Sequence, residues 1–253
     1  MTTRVSLLLA SLSVFIAGAP ATAATFTYEV SDVGGKTAAG FIKAISTTFD
    51  TDTDLFTWSS TFSRNPATNG LAEGGWLVIS DGPNPEPSDE YAIFYYDSTT
   101  RDQVTIYNYD DIDRGAHSWR NSTLLDTTGL TITDSGDERT FDFSFDMTDI
   151  NAMTDTFGPD WEGTSFGEEI GIWFHGLDGL TTAYAPNGSL TEFKFEKESW
   201  FDIKNAPTGS VSQAVPEPAG TAALGMFAGS MLMASAYRRR KQSAAIETET
   251  VEA

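Results

Sequence analysis

Residues Phe141-Asp142-Phe143-Ser144-Phe145-Asp146-Met147 alternate apolar and polar side chains without a break. A helix would scatter these phenylalanines around its circumference, whereas a strand puts them on one face. The spacing therefore predicts a strand over Arg139–Met147, with the phenylalanine face buried and Asp142, Ser144 and Asp146 facing water or a shallow groove. Other β-rich runs share the chain: Leu55–Phe62, Trp76–Ser80, Tyr91–Tyr96, Val104–Tyr109, Ile170–Phe174, Thr181–Tyr184 and Leu190–Phe195. Turn chemistry separates them. Pro186-Asn187-Gly188 reads as a hairpin turn, and Asp81 to Pro87 as a stiff proline-rich loop. The one helical candidate is Asp149–Asp155. About ten to thirteen short strands with frequent turns predict an all-β fold, an antiparallel β-sandwich of jelly-roll or concanavalin A-like type. A closed barrel is the runner-up. No fixed-period repeat argues for a solenoid or propeller.

Both ends stand apart from this pattern. Arg4, then the apolar run Val5–Ala17, then Ala21-Thr22-Ala23 before Ala24 read as a secretory signal peptide over 1–23, cut between Ala23 and Ala24. The body, 24–205, is long enough for one domain with a sizeable core. It carries 32 of the 36 acidic residues and 10 of the 15 basic ones, a net charge of −22. Such a field repels nucleic acid and anionic lipid, favours cations, and keeps an exported β-protein soluble. The chain has no cysteine, which excludes disulfides, zinc–thiolate and iron–sulfur centres and a cysteine nucleophile. Stability must rest on the core, and all six tryptophans lie in the body. Residues 206–214 turn to Pro, Thr, Gly and Ser and read as a linker.

Beyond the linker stand Val215-Pro216-Glu217-Pro218-Ala219, an uncharged stretch from Ala219 to Tyr237, and Arg238-Arg239-Arg240-Lys241. As a helix, 219–237 spans roughly 28 Å, close to the bilayer hydrocarbon thickness. The basic cluster predicts that its far end stays cytoplasmic. The order of these parts resembles the PEP-CTERM sorting signal of exported bacterial proteins, with the signal at 215–241. Gly74 to Pro85 is similar to segments of uncharacterised members of the same group. The resemblance implies a sorting protease of exosortase type as partner and transient anchoring in the inner membrane. Release to the cell surface or extracellular matrix would follow. The chain departs from the pattern in its acidic extension 242–253, with Glu247, Glu249 and Glu252.

Chemistry is sparse. Asp50, Asp52 and Asp54 alternate in an inter-strand loop and are candidate calcium ligands, the one cofactor suggested. The loop is not an EF-hand, since Leu55 stands at the glycine position and Thr61 at the final glutamate. Its other reading is a polar hairpin loop. His117 and His175 assign no triad, the chain is read as lacking a Gly-x-Ser-x-Gly nucleophile elbow, and His175 is placed at a strand end. No catalytic residue is named. Among the tryptophans, Trp119 and Trp161 sit in loop-like surroundings and are candidate ligand contacts, while Trp58, Trp76 and Trp173 read as core. Two functions follow. One is a non-catalytic surface or matrix protein that binds exopolysaccharide. The other is a polysaccharide hydrolase or lyase on the same scaffold, which needs two carboxylates converging in a cleft.

Overall fold

The structure is a computed structural model and describes residues 23–29 and 36–208. The sorting signal, the predicted span 219–237, the acidic extension and nearly all of the signal peptide lie outside these residues. Among the described residues, no helix is long and apolar enough to cross a membrane.

In chain order the strands are β1 (Ala24–Glu29), β2 (Phe41–Asp50), β3 (Leu55–Ser63), β4 (Gly74–Ser80), β5 (Ala92–Asp97) and β6 (Gln103–Asn108). A 3₁₀ helix, Gly115–Arg120, precedes β7 (Leu124–Gly129), β8 (Thr131–Ser135) and β9 (Glu138–Asp146). After two short helical turns come β10 (Glu169–Asp178), β11 (Thr181–Tyr184), β12 (Leu190–Lys194) and β13 (Lys197–Pro207). They form a five-stranded sheet, β1-β2-β3-β9-β8, a six-stranded sheet, β13-β10-β4-β5-β6-β7, and the separate hairpin β11-β12. The ladders within both sheets are antiparallel. Each large sheet keeps its own edges, so the fold is a sandwich and not a closed barrel.

The two large sheets share one core. Phe56 meets Phe94 at 5.1 Å between ring centroids, Trp58 meets Phe174 at 5.0 Å, and Phe141 meets Tyr96 at 5.1 Å. Such tilted and edge-on pairs add to the area buried. The alternation in β9 works as the sequence predicts at Phe141 and Phe143, both buried, with Ser144 and Asp146 exposed. Phe145, near the strand end, is only half-buried, and Met147 is buried just beyond the strand.

A third layer covers the other face of the six-stranded sheet. Trp76, Val78, Ile93, Tyr95 and Tyr107 pack there with Leu190 and Phe193 of the hairpin. Consequently β4 and β5 are buried at every position. A strand wet on neither face has no reason to alternate, which accounts for the unbroken apolar runs Trp76–Ile79 and Tyr91–Tyr96.

Two local expectations need correction, and the hairpin turn stands as expected. The helix over Asp149–Asp155 is two separate turns, α1 (Thr148–Asn151) and α2 (Thr154–Phe157), broken where Met153 leaves helical geometry with ψ +29°. The body does not end at Asn205. β13 runs to Pro207, Ala206 is buried, and Thr208 N–H donates to Glu168 O at 2.9 Å. In the hairpin turn, Gly188 alone takes positive φ, at +88°, while the Asn187 side chain accepts from Ser189 N–H at 3.1 Å.

Candidate functional site

The site with the richest chemistry is a cleft between the 3₁₀ helix and β12. Its walls include Trp119 and Arg120 on one side and Thr191, Glu192 and Lys194 on the other, around a volume of about 310 Å³. The sheet beneath fixes both walls. Tyr95 OH donates to Gly115 O at 2.6 Å and accepts from Trp119 N–H at 3.2 Å, so one buried phenol holds the 3₁₀ helix at both ends. The Tyr95 ring meets Phe193 edge-on at 5.1 Å, seating β12 beside it. Burial pushes the Tyr95 phenol well up, so it stays a neutral donor. The hairpin is pinned twice more. Leu190 N–H donates to Tyr107 OH at 2.6 Å, and buried Asp97 accepts from Thr182 Oγ1 at 2.7 Å and Tyr184 OH at 3.1 Å.

Trp119 is half-buried, and its indole N–H meets no acceptor among the described residues. The Arg120 guanidinium lies 5.8 Å from the Trp119 ring centroid and makes no ion pair among the described residues. Lys194 Nζ pairs with Glu192 Oε1 at 2.5 Å along the β12 wall. The cleft thus offers an aromatic wall, a free guanidinium and a charged rim.

A second concavity, about 530 Å³, lies on the outer face of the five-stranded sheet beneath the β7–β8 connection. Ser46, Thr57, Ser59, Ser144 and Thr131 line it with hydroxyls, and Asp142 supplies one carboxylate. This is the groove expected on the wet side of β9. A third, about 410 Å³, gathers Asp126, Asp146 and Asp149 around Phe145. Hydrogen bonds from the Thr148 hydroxyl and N–H hold the Asp146 carboxyl below its ordinary range.

One carboxyl pair was not legible from sequence spacing. Glu162 and Asp81, 81 residues apart in number, are close enough to interact electrostatically. Burial, then the charges of Asp81 and Glu90, push the Glu162 carboxyl up. Tyr91 OH donates to Asp81 Oδ1 at 3.3 Å, and Ser165 Oγ donates to Glu162 Oε2 at 3.1 Å. Ser165 also corrects the sequence reading, because Gly163-Thr164-Ser165-Phe166-Gly167 has the Gly-x-Ser-x-Gly spacing that was expected to be absent. The segment is a loop leading into β10, not the strand-to-helix turn of a nucleophile elbow. Its serine bonds a carboxylate rather than a histidine.

His175 is not at a strand end. It sits inside β10, opposite Trp76 of β4 and Trp200 of β13. Its ring stacks on Trp76 at 4.2 Å and meets Trp173 and Trp200 edge-on. Nδ1 lies 3.4 Å from Glu198 Oε2 without hydrogen-bond alignment, and neither ring nitrogen has a hydrogen-bond partner among the described residues. Burial lowers the imidazole to about 4, against an opposing pull from Glu198.

The remaining sequence candidates separate. Trp161 is core and not a ligand contact. It is 4% exposed, its indole N–H donates to Ile150 O at 2.8 Å, and its ring lies 4.4 Å from Phe157. Trp58 and Trp76 are buried as expected, and Trp173 is half-buried. Trp200, for which the sequence suggested no place, is the most exposed tryptophan at 38%, with Lys36 Nζ 4.9 Å above its ring. Asp50, Asp52 and Asp54 share the β2–β3 turn, where Asp50 Oδ1 accepts from Asp52 N–H at 2.9 Å and Thr53 N–H at 3.2 Å. Among the described residues no three acidic or histidine side chains gather in a metal-holding group. Of the cleavage-site residues, Ala23 precedes β1 and Ala24 opens it, opposite Phe49. Val215, Pro216, Glu217, Pro218, Ala219, Arg238, Arg239, Arg240 and Lys241 lie outside the described residues.

No family model matches the chain, and no curated protein does. A solved structure described as concerning pH-induced modulation of Streptococcus parasanguinis adhesion by Fap1 fimbriae is similar at 14% identity. The match covers 78% of this chain and all of that one with a TM-score of 0.26, a level that carries no argument.

Proposed function

We propose that the chain is an exported cell-surface or extracellular-matrix protein, sorted by an exosortase-type protease, whose non-catalytic body binds exopolysaccharide. The carrying observation is the ordered tail: Pro216-Glu217-Pro218, an uncharged stretch of membrane length, then Arg238–Lys241. An acidic sandwich of jelly-roll or concanavalin A-like type, with an aromatic-walled cleft on its third layer, supports the role given to the body. Intact-mass analysis of the surface protein tests the sorting. The mature chain should begin at Ala24 and lack everything after about Pro218. Recovery of the Arg238–Lys241 cluster in surface material would reduce the tail to a plain anchor.

The Glu162–Asp81 pair favours a second reading, a polysaccharide hydrolase or lyase. A carboxyl pushed up by burial beside a second carboxyl is the kind of pairing an acid and its partner need. Reducing-end or unsaturated-product release from matrix polysaccharide, abolished by E162Q, would establish it. Release unchanged in E162Q, or absent altogether, removes it.

A further inference from the structure

We propose that the cleft between the 3₁₀ helix and β12 is a subsite for a uronic acid unit of an anionic polysaccharide. Trp119 would stack on the sugar ring and Arg120 would take its carboxylate. This rests on the glycan-binding reading above and adds the place and the ligand class.

Three observations converge. A volume of about 310 Å³ is at the lower end of small-ligand sites and suits a single sugar unit. The indole wall is half-open and firmly seated, because Tyr95 fixes the backbone on which Trp119 stands. A hexose presents a flat C–H face that such a ring can cover. Finally, Arg120 is an exposed guanidinium without an ion pair among the described residues, in a chain of net charge −21. Where carboxylates outnumber cations so heavily, most cations find a partner. Lys36, Arg64, Arg114, Arg139, Lys194 and Lys197 each have one, while Lys43, Arg101 and Lys204, like Arg120, have none among the described residues, and of these four Arg120 alone lines the cleft. The guanidinium fork matches a carboxylate bidentately. Lys194 on the facing wall adds positive charge, and Glu192, already paired to it, leaves the cleft less hostile to an anion than the rest of the surface. A cationic ligand would meet Arg120 and Lys194 together.

The test is calorimetric titration of the full chain, held in mild detergent, with trigalacturonic acid and with its neutral counterpart galactotriose. The expected result is binding of the acidic trimer at least about tenfold tighter than the neutral one. W119A should weaken both. R120Q should remove the preference and leave a weak affinity common to the two. W200A, at an exposed tryptophan outside the cleft, should change nothing. R120Q alters an exposed side chain, so it remains informative even if W119A fails to fold. Equal or stronger binding of the neutral trimer, or trigalacturonate binding untouched by W119A and R120Q, overturns the subsite and leaves glycan binding standing. No binding of either trimer or of isolated matrix polysaccharide overturns both.

Discussion

Lowering the pH from 7.5 to 5 should destabilise this protein through His175, by an amount that follows from its surroundings. The ring lies against Trp76 at 4.2 Å, with Trp173 and Trp200 closing around it, and is 6% exposed. Removal from water disfavours the charged imidazolium, so the group titrates at about 4 in the fold and near 6.5 when unfolded. With the folded value depressed, the unfolded chain binds the proton first as pH falls. Stability is therefore full above about pH 6.5 and lost progressively down to about pH 4. A tenfold difference in proton affinity between the folded and unfolded chain is worth about 1.4 kcal/mol, giving a loss of about 2 kcal/mol by pH 5 and about 3 kcal/mol by pH 4. The charged groups facing the ring are Glu198 and Lys36. Burial pushes the Glu198 carboxyl up, but Lys36 and His175 bring it net below its ordinary range. Its contribution is thus lost only at lower pH. The decisive variant is H175F, which keeps an aromatic ring on Trp76 and removes the titration. Urea denaturation at pH 7.5 and pH 5 should show the wild type losing about 2 kcal/mol more than H175F between the two conditions. In melting temperature that is roughly 4–8 °C for a body of this size. Equal losses in the two proteins would refute the reasoning and show that the imidazole is solvated when charged.

Three further outcomes are expected. Phe143, 6% exposed and within 6 Å of the Phe56 and Phe94 rings, should cost about 3–5 kcal/mol when truncated to Ala, against well under about 1 kcal/mol for Ser144→Ala; equal effects in chemical denaturation would mean that the β9 register is reversed. Asp97→Ala should cost about 2–4 kcal/mol, because it removes the buried carboxylate that accepts from the Thr182 and Tyr184 hydroxyls, leaving Thr182 only Thr100 Oγ1, and loosens the hairpin on β5; an unchanged urea midpoint would show that the hairpin holds without it. Added calcium should leave the melting temperature unchanged, since Asp50 already accepts two backbone N–H groups and no metal-holding group forms among the described residues; a calcium-dependent rise abolished by removing Asp50, Asp52 and Asp54 together would restore the site.

How much was legible depended on the range of the interaction. Period-two alternation is a property of a single strand, so Phe141 and Phe143 could be assigned to the core from sequence alone. The Asn187-Gly188 turn was legible for the same reason, because four residues contain all of its chemistry. The charge imbalance, the missing cysteines and the order of the tail are likewise written in the chain itself. Neighbouring residues do not say what covers a strand's second face. β4 and β5 looked like ordinary apolar runs, and only the docking of β11-β12 as a third layer made them strands buried on both faces. Trp119 and Trp161 looked alike, each beside turn residues. Assembly buried one against Ile150 and Phe157 and left the other walling a cleft. The Glu162–Asp81 pair, the enclosure of His175 and the free guanidinium of Arg120 all arise from residues brought together across sheets. Their energetics depend on burial and on distant partners, which no local pattern specifies.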